Sequence, residues 1–552
     1  MAKIHLYTPN EKNLRVEEGI TFEEVVKEHF SNRDIPITLG KIDGRYYELR
    51  DKVPHGGEFY PVTIEETIGL KTYARTLHFI LIKAVYDLFK GSKITIEHSI
   101  SKGIYGEIHK EHSLDEKDIE DIRNRMKEII TADERINKIS VTREEAINIF
   151  QDYGFEDKVR LLKHVKNNKL KLYELQGRYD YFYGPLAPST GVMETFDLIF
   201  HDPGFILRYP EENDPKGLPK FINYEKLDNI FKETEEWLNI LEVADVGAIN
   251  NKIENKEIQE LIMVAEALHE KKIAYIADTI SEKKDVKVIL ISGPSSSGKT
   301  TFARRLGIQL RVNGITPIPI SLDDYFVNRE DTPLDENGKY DFESIDALDL
   351  PLFNEDLKKI LKGDTVEIPS YNFKLGAREW NGHKIRLPDN GVLIVEGIHG
   401  LNDKLTRAID SKNKFKIYIS ALTQLNIDSH NRITTTDVRK VRRIVRDFLS
   451  RGYMGEDTLK MWPSIKRGEE KNIFIFQEEA DVMFNSTLVY ELCVLKKYAL
   501  EELEKIGEES EVYYEVLRLK NFLRLFKDVD IDTIPTNSIL REFIGGSVFY
   551  KY

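Results

Sequence analysis

Only one cysteine, Cys493, occurs in 552 residues. No intrachain disulfide can form, a cysteine-rich zinc module is excluded, and a reducing, cytoplasmic compartment is the natural expectation. No stretch approaches the ~20 apolar residues needed to cross a bilayer, so no membrane partner is expected. The opening residues, MAKIHLYTPNEKNLRVEEG, lack the apolar segment of a secretory signal. A basic excess is missing too. There are 80 Lys and Arg against 94 Asp and Glu, a formal net charge of −14. That sign opposes a surface that grips nucleic acid or anionic lipid all over, and leaves room only for a local basic patch. Internal repeats and low-complexity runs are absent as well. What is present suffices for several cores: 41% of residues are hydrophobic and 32% charged. At ~150 residues per domain the length predicts three or four domains.

The amino-terminal stretch, 1–63, reads as a small α/β unit. KIHLYT and NLRVEEG form a hairpin whose turn starts at Pro9 and Asn10. Thr21 and Glu24 have the N-cap and N3 spacing of a capping box opening the helix TFEEVVKEHF. Asp43-Gly44 sits between two strands as a second hairpin turn. Stretch 64–210 mixes helices (Tyr73 to Lys90, Asp115 to Ile130, Thr142 to Tyr153) with short strands such as KITIEHS and GIYGEIH. A helical connector is predicted over 211–285. From Asp285 the pattern changes. VKVILIS, ITPIPISL, GVLIVEG and FKIYIS are continuous apolar runs separated by helical segments, which predicts a parallel sheet covered by helices on both faces over 286–500. The remainder, 501–552, reads as a helical packing element.

After the first of those strands comes Gly293-Pro-Ser-Ser-Ser-Gly298-Lys299-Thr300, a match to G-x-x-x-x-G-K-[ST] followed by a helix. Such a loop curls its amides toward phosphate oxygens, and the helix that follows adds its positive end. Gly293, Ser295, Ser296, Ser297, Gly298, Lys299, Thr300 and Thr301 are therefore candidate ligands of a nucleoside triphosphate. Lys299 is placed on the β/γ-phosphates and Thr300 on Mg²⁺.

In a doubly wound sheet, ligands gather at the carboxyl ends of the strands. ISLDDYF puts Asp323 and Asp324 there. A carboxylate at that place either takes a proton from an attacking hydroxyl, helps hold Mg²⁺, or merely caps the next turn. Glu396, ending GVLIVEG, is a second candidate for orienting the metal. TDVRKVRRIVRDFLSRG spaces Arg439, Arg443 and Arg446 along one helical face. These arginines read either as a lid closing over a transferring phosphoryl group, or as a solvated basic face or an RNA contact.

GPSSSGKTT, ISLDDYF, YDFESIDALD, IPSYNFKLGAR, GVLIVEGIHG and VRRIVRDFLSRG together resemble the uridine kinase and phosphoribulokinase group of P-loop kinases, over roughly Val286 to Leu500. The resemblance implies an ATP- and Mg²⁺-dependent kinase acting on a nucleoside-like small molecule at its ribose 5′ hydroxyl. It makes Asp323 the catalytic base, with Lys299 and Arg443 serving the transferred group and Thr300, Asp323 and Glu396 the metal. It assigns Phe342, Glu343, Tyr371, Arg378 and Arg439 to the acceptor. Two departures stand out. Glu343 occupies the place of an aspartate that serves ribose hydroxyls, and Gly376 corresponds to the base-reading histidine. A pocket without that partner discriminates bases weakly by that contact.

KIHLYTPN through EFYPVTIEE is similar to the TGS domain of threonyl-tRNA synthetases, and the next ~140 residues to their second additional, editing domain. Of that domain's H-x-x-x-H pair, Ala74 to His78 keeps only His78, and Phe182 and Leu186 stand at the later ligand positions. One imidazole makes neither a metal site nor an acid/base relay, so no editing activity is expected. RNA remains a partner only under a second reading, an ATP-hydrolysing RNA-associated sensor. The nine Lys/Arg against thirteen Asp/Glu among residues 1–70 do not favour it. The sequence is silent on oligomeric state.

Overall fold

The computed structural model describes residues 3–8, 13–31, 34–336, 338–407, 409–423 and 425–550. The turn expected at Pro9 and Asn10 lies outside them.

The first unit comprises β1 (Lys3–Tyr7), β2 (Asn13–Glu17), α1 (Phe22–His29), β3 (Ile37–Ile42), β4 (Arg45–Glu48) and β5 (Gly57–Thr63). Its sheet runs β2-β1-β5-β3-β4. The capping box forms as spaced: Glu24 donates its amide to Thr21 Oγ1 at 3.3 Å, and the Thr21 amide donates to Glu24 Oε2 at 2.8 Å. Asp43 and Gly44 turn β3 into β4 with φ of 47° and 83°, as a two-residue hairpin requires. Phe22 and Val25 of α1 pack onto Leu6, Ile42 and Phe59 of the sheet.

The second unit begins with α2 (Thr67–Leu88), β6 (Lys93–Ile100), β7 (Gly103–His109) and α3 (Glu116–Thr131). It continues with β8 (Asn137–Thr142), α4 (Arg143–Asp152), α5 (Glu156–His164), β9 (Lys169–Leu175), β10 (Arg178–Asp180), β11 (Asp197–His201) and β12 (Gly204–Arg208). These strands make an antiparallel sheet, β11-β12-β7-β6, and a three-stranded one, β10-β9-β8. Apolar residues of α2 and α3, among them Leu77, Ile80, Ile122 and Met126, fill the space against them.

Three helices follow: α6 (Glu225–Leu241), α7 (Val246–Glu254) and α8 (Ile258–Glu282). Ile262, Ile273 and Ile276 of α8 enter the same core as the parallel sheet beyond.

That sheet is built from β13 (Val288–Ser292), β14 (Thr316–Ser321), β19 (Gly391–Glu396), β20 (Lys414–Ser420) and β23 (Val482–Asn485). Between them lie α9 (Lys299–Val312), α10 (Leu350–Leu361), β15 (Val366–Glu367), β16 (Ser370–Asn372), β17 (Ala377–Glu379), β18 (Lys384–Ile385), β21 (Asn426–Asp428), β22 (Asn431–Arg432), α11 (Thr435–Arg446) and α12 (Gly455–Asn472). Three helices close the chain: α13 (Glu491–Leu503), α14 (Tyr513–Leu523) and α15 (Arg541–Ile544). The strand order is β14-β19-β13-β20-β23, and every pair is parallel. The four apolar runs are four of these strands, and β23 is a fifth. Alternate residues of β13 serve opposite faces. Ile289 and Ile291 meet α9, α11 and α13 through Phe302, Val441 and Leu495, whereas Val288 and Leu290 meet α10 through Phe353 and Leu357. A strand covered on both sides has no polar face to show, which is why it reads as a continuous apolar run.

The β21–β22 hairpin leaves this sheet and docks into the second unit. The Ile96 amide donates to the Ser429 carbonyl at 2.8 Å. Lys158 of α5 bridges Asp180 Oδ1 at 2.9 Å and Asp428 Oδ1 at 2.8 Å, with both acids fully buried. Among the described residues, no helix is long and apolar enough to cross a membrane.

Candidate active site

β13 delivers the chain into the glycine-serine loop at the carboxyl end of the sheet. A Cβ on Gly293 would lie 1.9 Å from the Ile419 carbonyl oxygen, so only glycine passes here. Ser296 and Gly298 take left-handed φ of 61° and 83°, the alternation that turns successive amides into one concavity. Lys299 opens α9 and folds over the loop, its Nζ donating to the carbonyls of Gly293 at 3.0 Å and Pro294 at 3.1 Å. Burial lowers its pKa, opposed by the nearby charge of Glu396. A cation held this way gains directly from an arriving anion.

Thr300 Oγ1 donates to Glu396 Oε1 at 3.2 Å, tying the start of α9 to the end of β19. Burial, followed by repulsion from Asp323, pushes Glu396 up to about 7. Asp323 sits on a 3₁₀ turn, Leu322–Tyr325, directly after β14. Its charge acts on Lys299, Glu396 and Glu343, so these four groups share one site. Asp324 is engaged elsewhere, accepting the Tyr371 amide at 3.1 Å and so fixing β16.

The arginines of α11 divide along the helix. Arg439 Nε donates to the Ser295 carbonyl at 2.9 Å while its guanidinium pairs with Glu469. Arg442, fully buried, donates to the Ser296 and Ser486 carbonyls and pairs with Glu491. Both therefore hold the loop's outer wall, and Arg439 lies on the loop itself. Arg443 Nη1 donates to Ser295 Oγ at 2.7 Å, and its Nε lies 3.0 Å from Asp447. Beyond it the helix widens into a π-turn over Asp447–Arg451, a distortion often found at functional sites. Asp447 there gathers Arg443, Arg446 and Arg451.

Burial and the neighbouring Glu469 push Glu343 up to about 7, and its Oε2 has no hydrogen-bond partner among the described residues. Tyr371 is buried, its ring 5.7 Å from Phe326 and 5.1 Å from Phe373. Phe342, Phe373 and Trp380 are exposed. Arg378 is committed to Asp349 at 2.8 Å. Gly376 has φ of 70°, and an added Cβ would meet Arg329 Nε at 2.8 Å. The backbone thus demands glycine where the resemblance expects histidine, and the Arg329 guanidinium occupies that corner.

Two glutamates that no sequence motif marks also reach the loop. Glu469 Oε1 accepts the Ser295 amide at 2.9 Å. Glu542, from the segment expected to serve packing alone, accepts the Thr301 amide at 3.1 Å and hydroxyl at 3.0 Å. Tyr550 Oη lies 2.5 Å from that hydroxyl. Nothing local in NSILREFIGGSVFYKY signals this role.

The donor set around Thr300, Glu396 and Asp323 is all oxygen, which fits a hard divalent cation. Among the described residues no three His, Cys, Asp or Glu side chains cluster as a metal cage. In the second unit, Phe182 and Leu186 are core residues, Phe182 lying edge-on to Phe79 at 5.2 Å. Burial, then Arg432 and Arg75, push His78 down to about 3.

Residues 288–491 match the model of the Phosphoribulokinase / Uridine kinase family. The amino-terminal region matches curated threonine--tRNA ligases. That of Anaplasma marginale (strain Florida) is 31% identical over 199 residues, 36% of this chain and 31% of that enzyme. That of Caldanaerobacter subterraneus subsp. tengcongensis is 31% identical over 184 residues, 33% of this chain and 29% of that enzyme. The chain thus spans under a third of these relatives' length. Among solved structures, a "Possible Uridine Kinase" from Bacillus stearothermophilus is 21% identical and covers 39% of this chain and 98% of that one, with a TM-score of 0.27. D-glycerate 3-kinase from Cryptococcus neoformans var. grubii is 18% identical and covers 45% of this chain and 80% of that one, with a TM-score of 0.21.

Proposed function

We propose that the carboxy-terminal half is an ATP-dependent small-molecule kinase that phosphorylates the ribose 5′ hydroxyl of a uridine- or cytidine-like nucleoside. The observation that carries this reading is the convergence of Asp323, Lys299 and Glu396 at the ends of β14, β13 and β19. Their charges act on one another there, and Asp324 is diverted to a structural bond.

Lys299 and the loop amides bind the triphosphate tail. Thr300 and Glu396, with Asp323, would hold Mg²⁺, which would offset negative charge on the phosphates. Asp323 takes the proton of the attacking hydroxyl, and Arg443 meets charge on the transferred group. The partnerless oxygen of Glu343 accepts hydrogen bonds from acceptor hydroxyls, and the exposed ring of Phe373 beside Tyr371 offers a face for a flat base.

The test is incubation of the full chain with ATP and a panel of nucleosides, sugars and hydroxy acids. A nucleoside should be phosphorylated, and Asp323→Asn should lower the transfer rate by about 10²–10⁴ while ATP still binds. No acceptor phosphorylated, with turnover indifferent to Asp323→Asn, would remove the kinase. Transfer to a sugar or hydroxy acid alone would remove the nucleoside.

A further inference from the structure

Between the two halves lies a cavity of ≈ 2510 Å³, remote in the chain from the loop motif and used by none of the chemistry above. Its walls come from α2, from the β22–α11 junction and from α14. Among the cations that line it without a carboxylate of the described residues in ion-pair range are Lys71, Arg75 and Arg432. Arg75 donates to the Pro185 carbonyl, at 2.7 Å. Arg432 is near enough to Arg75's neighbour His78 for both arginines to depress that imidazole. Burial lowers the pKa of all three cations, that of Lys71 to about 8.

The nearest acids are already committed. Asp437 and Glu515 are both bonded to Arg518, Glu515 also pairs with Lys440, and Glu48 is paired with Arg50 and Lys138. Orphaned polar atoms in the same walls include two donors, Trp462 Nε1, on a side chain 5% exposed, and Tyr183 Oη, beside Glu48 Oε2 and His78 Nε2. Half-buried cations without an ion-pair partner and buried donors without acceptors are each costly, and here they line one cavity. One kind of occupant satisfies both. It carries more than one negative charge, presents several acceptor oxygens, and suits the planar forks of two arginines.

We propose that this cavity binds a phosphate-bearing small molecule, whose phosphoryl oxygens are held by Arg432, Arg75 and Lys71. The proposal does not depend on the kinase reading. The site abuts α11 on the side away from the phosphate loop: Thr434, Asp437 and Lys440 face the cavity, while Arg439, Arg442 and Arg443 hold Ser295 and Ser296. A bound phosphate therefore lies one helix away from the nucleotide loop.

The experiment must separate the cavity from that loop. Lys299→Ala in the full chain disables the loop's own phosphate site, and folding of each variant is checked by its thermal melt. Calorimetric titration of this variant with inorganic phosphate and with pyrophosphate, up to about 10 mM, reaches the range where a millimolar site fills. Saturable binding is expected. Adding Arg432→Gln should weaken it at least about tenfold, and Arg432→Lys should restore part of the loss because the charge remains. Absence of saturable binding, or binding indifferent to both Arg432→Gln and Lys71→Gln in folded protein, overturns the proposal. So does tight, salt-sensitive binding of a single-stranded RNA oligonucleotide that Arg432→Gln abolishes while neither phosphate probe binds, since the occupant would then be a nucleic acid.

Discussion

Replacing Glu396 with Gln should stabilise the ligand-free carboxy-terminal half near neutral pH and weaken its hold on Mg²⁺. Glu396 is buried at the end of β19 beside Asp323, and its carboxyl is pushed up to about 7 from an ordinary 4.5. At about 1.4 kcal/mol per tenfold, keeping it ionised costs the folded state on the order of 3 kcal/mol. The sign follows from linkage. Because the folded value lies above the unfolded one, the favoured protonated form contributes fully below about 4.5, and that contribution is lost as pH rises through about 7. Gln mimics the protonated acid and does not titrate. The stability gap between variant and wild type should therefore be near zero at about pH 4.5 and on the order of 3 kcal/mol at about pH 8. Other groups, Glu343 included, titrate in both chains and largely cancel in the difference. Urea unfolding followed by tryptophan fluorescence reads this half, since Trp237, Trp380 and Trp462 all lie beyond residue 210. Saturating Mg²⁺ and ATP should narrow the gap by stabilising the ionised wild-type carboxylate. Parallel pH profiles, or a gap that is largest in acid, would refute the reasoning.

Glu542→Gln should tighten ATP binding severalfold to about tenfold, because the carboxylate on the Thr301 amide and hydroxyl repels a triphosphate entering the same loop; unchanged or weaker affinity by calorimetry would count against it. Lys158→Met should cost about 3–5 kcal/mol, since Asp180 and Asp428 are then left facing each other in a dry seam. A fall in melting temperature of less than a degree would show that the seam tolerates the pair. Gly376→Ala should cost about 1–2 kcal/mol for its left-handed φ alone. It should also raise KM for the acceptor by displacing Arg329, whereas a wild-type melt and KM would mean the corner relaxes freely.

What the sequence made legible is what neighbouring residues determine. The capping box at Thr21 and Glu24 closes within one turn, the Asp43-Gly44 turn needs only two left-handed residues, and the runs VILIS and GVLIVE betray strands covered on both faces. The phosphate loop belongs with them, because its glycines, lysine and threonine act on consecutive backbone. β23 escaped notice because four residues, VMFN, carry little periodicity. The site's other half is non-local and left no such trace. Asp323 and Asp324 are adjacent and chemically identical; only the Tyr371 amide, 47 positions away, assigns the second to structure. The three- and four-residue spacing of the α11 arginines told which side they share but not what they meet. Arg439 and Arg442 are neutralised by Glu469 and Glu491 on helices that follow later in the chain, which leaves Arg443 and the Asp447 cluster nearest the role of a lid. Glu542 reaches Thr301 across 241 positions. Spacing identifies the groups able to do chemistry, while tertiary packing decides which of them are left free to do it.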